Sequence, residues 1–124
     1  MPIQEEYTMN SLNTGINIFM NTVGGKWKCL ILFFLSQQPR RTKEFYLLMP
    51  TITQKVLTEQ LKQLERDELV RREVFKEVPP KVEYSLTELG QSFVPVLNTM
   101  CEWGNTYATV QNLEREEQIC CQHE

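Results

Sequence analysis

The chain has 124 residues, 41% of them hydrophobic and 23% charged, with a net charge of −3 and a pI of about 5.3. That size suits one domain around a single core, here expected over residues 1–124. The longest apolar run, Cys29 to Leu35, is far short of the ~20 residues that span a bilayer, and no secretory signal pattern opens the chain, so the expectation is a soluble cytoplasmic protein.

Residues 1–10 are polar and are predicted to form a loose arm. Over residues 11–23, Leu12, Ile16, Phe19, Met20 and Val23 recur at helical spacing. Gly24-Gly25 breaks that helix. Trp27, Leu30, Ile31, Phe34 and Leu35 then predict a second, deeply buried helix that ends at Gln37-Gln38-Pro39. Thr42 can cap a short third helix with Phe45 and Leu48 inward, and Pro50 stops it. Thr53 can cap a fourth. On the fourth, Leu57, Leu61 and Leu64 form one stripe, while Gln54, Lys55, Thr58, Glu59 and Lys62 fall on the other side.

Leu69 to Leu86 reads as two extended runs around a turn holding Pro79 and Pro80. In the second run Val82, Tyr84 and Leu86 point one way and Lys81, Glu83 and Ser85 the other. Two strands alone are marginal in water, so the hairpin must lean on helices. Thr87 can cap a fifth helix reaching residue 113, its apolar face marked by Leu89, Phe93, Val96, Leu97, Met100, Trp103 and Tyr107, with a bend expected at Pro95. A domain this small cannot easily cover such a stripe alone, which argues for a second copy. Residues 114–124 are expected to fray. The predicted class is mainly α with a small β-hairpin wing: a winged helix-turn-helix with N- and C-terminal dimerisation helices (11–23 and 87–113) around a core at 26–86.

A global acidic balance argues at first against nucleic acid, but the distribution reverses it. Residues 26–82 hold 12 of the 13 basic residues and seven acids, a balance of +5; the remainder carries −8. Phosphate contacts need local positive charge, not a high pI. On the fourth helix Gln54 can bond adenine edges, Lys55 and Lys62 can reach guanine or phosphate, and Thr58 can touch a thymine methyl. The helix N-terminus at Thr53 favours a phosphate. Arg40 and Arg41 before the third helix, and Lys76 and Lys81 beside the wing tip, are candidate backbone clamps. Each feature alone also fits a solvated face; together they favour DNA.

Cys29 and Cys101 sit on apolar helices and read as small core residues. Cys120-Cys121-Gln122-His123 lacks the paired spacing of a zinc ligand set. No Ser-His-Asp set, P-loop or Gly-x-Gly-x-x-Gly appears. No metal, no cofactor and no enzymatic activity are therefore expected.

Gly24-Gly25-Lys26-Trp27, Pro39-Arg40-Arg41, Leu57-Thr58, Leu61, Leu64-Glu65, Leu69-Val70, Glu77-Val78-Pro79-Pro80-Lys81-Val82-Glu83-Tyr84-Ser85-Leu86-Thr87, Leu89-Gly90, Pro95-Val96-Leu97 and Trp103-Gly104 resemble the HxlR-type winged-helix regulators, from about Ile16 to Tyr107. The resemblance implies a homodimeric bacterial-type transcription factor, distantly similar to MarR proteins. Such proteins pair through their first and last helices, which here would engage Ile16, Phe19, Met20, Phe93, Leu97, Met100, Trp103 and Tyr107. The pair would grip a palindromic operator with two recognition helices and two wings. Three positions depart from the family. Thr14 and Gly15 stand where many members have Cys-Pro, so thiol sensing at that site does not carry over. Glu68 stands where Gly is frequent, at roughly 1 kcal/mol if the left-handed conformation is used. Thr42 replaces a common aromatic, which can improve the helix cap at some loss of packing.

The leading expectation is a sequence-specific DNA-binding regulator. Two others stay open: a winged helix used for protein contact, suggested by the acidic total and by Trp103 and Tyr107, and a thiol switch on Cys29 or Cys101. A small molecule could bind between the dimer helices and the DNA-binding lobes, although no residue set marks such a pocket.

Overall fold

The computed structural model describes residues 14–114. The predicted arm at 1–10, the start of the first helix at 11–13, and the tail with Cys120, Cys121 and His123 lie outside them. The element order is α1 (Gly15–Val23), α2 (Lys26–Gln37), α3 (Thr42–Leu48), α4 (Gln54–Arg66), β1 (Val70–Phe75), β2 (Lys81–Leu86), α5 (Glu88–Gln91) and α6 (Val94–Val110). The protein is mainly helical with one antiparallel hairpin, a winged helix.

Thr14 is the N-cap of α1, its hydroxyl accepting the Asn17 N–H at 3.3 Å. Gly25 joins α1 to α2 at a φ of 98°, a conformation that L side chains seldom adopt. α2 is the central element: Ile31, Leu32 and Leu35 are buried, with Trp27, Leu30, Phe33 and Phe34 half-buried around them. Leu32 lies outside the stripe predicted for this helix. It is buried because the neighbouring elements enclose α2 on more than one side, so a single periodic stripe under-describes it.

The third helix is capped one residue before its predicted cap and begins at Thr42. Arg41 is the N-cap: its backbone N–H donates to Glu44 Oε1 at 2.9 Å, and the Glu44 N–H donates to the Arg41 carbonyl at 2.9 Å. Thr42 is exposed in the first turn, so the expected Thr42 cap is not formed. The carboxylate of Glu44 takes over because it reaches back three residues. Thr53 does cap α4, accepting the Val56 N–H at 3.1 Å.

The end of α4 is closed by two backbone bonds, Leu69 N–H to Leu64 C=O at 3.0 Å and Glu68 N–H to Glu65 C=O at 3.0 Å, the pattern of a Schellman motif. That motif demands a left-handed residue at Glu68, whose φ is 65°. Leu69 belongs to this cap, and β1 starts at Val70.

The register runs from Val70 opposite Leu86 to Phe75 opposite Lys81. Tyr84 and Leu86 are buried and Val82 packs on the core, as the alternation predicts. The hairpin leans on α2, α4 and α3, and Thr87 ties its base to α4 through a hydroxyl donated to the Glu68 carbonyl at 2.6 Å.

The predicted fifth helix is two helices. Thr87 caps α5, accepting the Gly90 N–H at 3.0 Å. The chain then turns at Ser92 and Phe93, before Pro95 rather than at it. A continuous helix would need a Pro95 N–H donated to Gln91, which proline lacks; in the first turn of α6 no such donor is required. Gly90 is needed at the crossing, since a Cβ there would lie 2.2 Å from the Leu69 carbonyl oxygen.

Candidate nucleic-acid interface

α4 is fixed from beneath by Leu57, Leu61 and Leu64, all buried to 2% exposure or less. Burying three leucines is worth about 2 kcal/mol each before entropy is counted. With that face anchored, Gln54, Lys55, Thr58, Glu59 and Lys62 are all exposed, so the structure brings this predicted set together on one surface. Thr53 is exposed too, but its hydroxyl is committed to the helix cap. The Gln54 and Lys55 N–H groups, in the first turn, have no helical acceptor and make that end attractive to an anion.

Arg40 is not available as a backbone clamp. It is 8% exposed: Nε donates to the Phe34 carbonyl at 3.1 Å and Nη2 to Gln37 Oε1 at 2.7 Å. Its backbone pairs with Tyr84 in both directions, at 2.9 and 2.8 Å. Arg40 therefore stitches the C-terminus of α2 to β2, holding the wing beside the helix-turn-helix. Arg41 next to it is partly exposed at the N-cap of α3, near the exposed Lys43.

On the wing, Lys76 is exposed in the turn, whose Val78–Pro79 peptide is cis. Lys81 opens β2 with its Nζ 5.0 Å from the centre of the Phe75 ring, a cation–π contact that holds the ammonium at the tip. Behind the tip, Glu73 and Glu83 face each other across the strands. Like charges directly opposite are unfavourable and would repel phosphate, so the cationic part of the wing is confined to its end.

Arg71 and Arg72, absent from the predicted set, are exposed on β1. They line an open hollow of about 520 Å³ together with Glu65, Glu68 and Glu88. Three carboxylates answer two guanidiniums there, which weakens the hollow as a phosphate site. Their position in the wing strand was the available signal for them.

The predicted pairing residues divide. Ile16, Met20, Met100, Trp103 and Tyr107 are exposed on α1 and α6, with Trp103 and Tyr107 stacked at 5.4 Å. Leu97 is 4% exposed inside the protomer's own core, so it does not belong to the exposed apolar surface: it packs into the core where α6 meets α2, about 120° around the helix from Trp103. Phe19 and Phe93 are half-buried against each other at 5.8 Å and serve mainly to join α1 to the start of α6. Ile18, Val96, Val110 and Leu113 extend the exposed apolar surface.

Cys29 donates to the Val23 carbonyl at 3.3 Å, and burial pushes its thiol pKa up. Among the described residues no cluster of metal-ligating side chains occurs, and no single helix is long and apolar enough to cross a membrane.

Comparison with known proteins agrees with this arrangement. The model of the HxlR-like helix-turn-helix family matches residues 22–112. The HTH-type transcriptional regulator YkvN of Bacillus subtilis (strain 168) is 45% identical over 111 residues, covering 90% of this chain and 94% of that protein. Among solved structures, the redox regulator HypR in its reduced form has a TM-score of 0.75 at 41% identity, covering 80% of this chain and 98% of its own. The reduced form of the transcriptional regulator YodB from B. subtilis has a TM-score of 0.68 at 36% identity, covering 77% and 94%. With the family model spanning most of the chain and a leucine-anchored helix beside a wing in the structure, this protein belongs to the HxlR-like helix-turn-helix family of DNA-binding transcriptional regulators.

Proposed function

We propose that the chain acts as a homodimer that binds a palindromic operator, inserting α4 of each copy into a major groove and resting each wing tip on the backbone. The observation that carries this reading is the exposed polar and cationic face of α4, backed by three buried leucines. Gln54, Lys55, Thr58 and Lys62 face bases or nearby phosphates; Arg41, Lys76 and Lys81 hold backbone. The apolar surface of α1 and α6 supports pairing. Fluorescence anisotropy with a random duplex at two salt concentrations tests it. Binding should weaken steeply with salt, because each phosphate neutralised releases counterions. Binding absent at both salts would favour a winged helix that contacts protein instead, through the face around Trp103 and Tyr107.

A second reading is a thiol response, favoured by the redox regulators among the structural relatives. Against it, Thr14 is a helix cap with no thiol to offer. The raised pKa of Cys29 keeps it protonated and poorly nucleophilic at neutral pH. Labelling of the folded protein should therefore be slower at Cys29 than for a free thiol. Labelling as fast as a free thiol would revive the switch.

A further inference from the structure

The outward ridge of α4 holds one group that a purely phosphate-binding surface would not carry. Glu59 stands near the middle of the helix and is exposed, with Lys55 four residues before it and Lys62 three after, both exposed. At about 100° per residue, Glu59 lies roughly 200° around the axis from the buried Leu57, and both lysines lie within about 60° of it. The three form the part of the helix farthest from the core. Among the described residues neither lysine is ion-paired with Glu59, so the carboxylate is free to meet a ligand.

Against the phosphate backbone a carboxylate is repelled. On the floor of the major groove it has one good partner, the N4 amino group of cytosine, which only an acceptor satisfies; guanine there shows O6 and N7 acceptors that an ammonium serves. A carboxylate with an ammonium on either side is thus complementary to a cytosine with guanine beside it. We propose that Glu59 is a specificity-determining residue that accepts a hydrogen bond from cytosine N4 in each half-site, while Lys55 or Lys62 donates to an adjacent guanine. This rests on α4 being the recognition helix.

Parallel selections from a random duplex pool with the wild-type protein, Glu59→Gln and Glu59→Ala test it. Because Glu59 is exposed, neither change disturbs the core. The wild type should enrich cytosine next to guanine at one position of each half-site. Glu59→Gln should lose that preference by about tenfold and turn to adenine, whose N6 and N7 suit an amide; Glu59→Ala should leave the position degenerate. If all three proteins enrich the same base at every position, with both variants binding all duplexes more tightly, Glu59 is only a charge on a solvated ridge and the proposal falls. If the wild type enriches no sequence, α4 is not a recognition helix and both readings fall together.

Discussion

Arg40 shows how a single side chain can carry a different burden from the one its neighbours suggest. Beside Arg41 and after Pro39 it reads as a solvated cation, and only the return of β2, more than forty residues later, encloses it. That burial is long-range and leaves no local mark in the sequence. Arg40→Ala should cost about 1.5–3 kcal/mol in urea unfolding, because the Phe34 carbonyl and Gln37 lose a charged donor, and Arg40→Lys should recover little, since a point charge cannot serve both acceptors. Stability unchanged by Arg40→Ala, with a shallower salt dependence of DNA binding, would restore it as a backbone clamp. Glu68 is the reverse case: the missing glycine after Asp67 was visible, and the left-handed φ of 65° follows from the helix cap. Glu68→Gly should stabilise the fold by about 1 kcal/mol, raising Tm by about 4 °C for a chain of 124 residues. A fall in Tm would show that the left-handed geometry is not strained for glutamate here.

The elements were legible in proportion to how local their causes are. The stripe of α4, the Thr53 and Thr87 caps and the alternation of β2 depend on residues within a few positions of each other, and the structure reproduces them. The break between α5 and α6 and the cap of α3 were displaced by one to three residues: proline ends a helix several residues before itself, in the turn where its N–H would be needed, and the Glu44 carboxylate caps α3 from Arg41 in preference to Thr42. Of the exposed polar surfaces, the α4 face was readable from its period, while the exposed Arg71 and Arg72 stand among mixed charges on β1 that give no such pattern. Two predictions belong at this scale. Lys62→Ala on the outward ridge should weaken binding to all duplexes and reduce the salt slope by about one unit; an unchanged slope would take Lys62 off the phosphates and leave it a base contact at most. Glu73→Lys should replace the repulsive pair with Glu83 by an attractive one and stabilise the fold by about 0.5 kcal/mol, seen as a higher urea midpoint. No gain would mean that the strands hold the two carboxylates far enough apart for water to screen them.

For the whole molecule, the apolar stripe on the last helix was readable, and so was its excess over what one small domain can cover. The assignment of each residue within it was not. Leu97 and Trp103 lie on one helix within two turns of each other, yet one is 4% and the other 66% exposed, because α2 covers only one side of α6. Trp103→Asp should therefore leave the fold intact while weakening self-association at least tenfold in sedimentation; an unchanged dimer would place the pairing surface elsewhere. Paired copies would set two α4 helices on one face of a duplex, about one helical turn apart, the spacing that two consecutive major grooves require.

The most direct measurement is methylation protection of guanine N7 in the major groove and adenine N3 in the minor groove, on a selected duplex bound by the protein. Two protected clusters in the major groove, centred about 10 base pairs apart on one face and related by two-fold symmetry, are the predicted result. A single cluster, or protection confined to the minor groove, would contradict the paired insertion of α4.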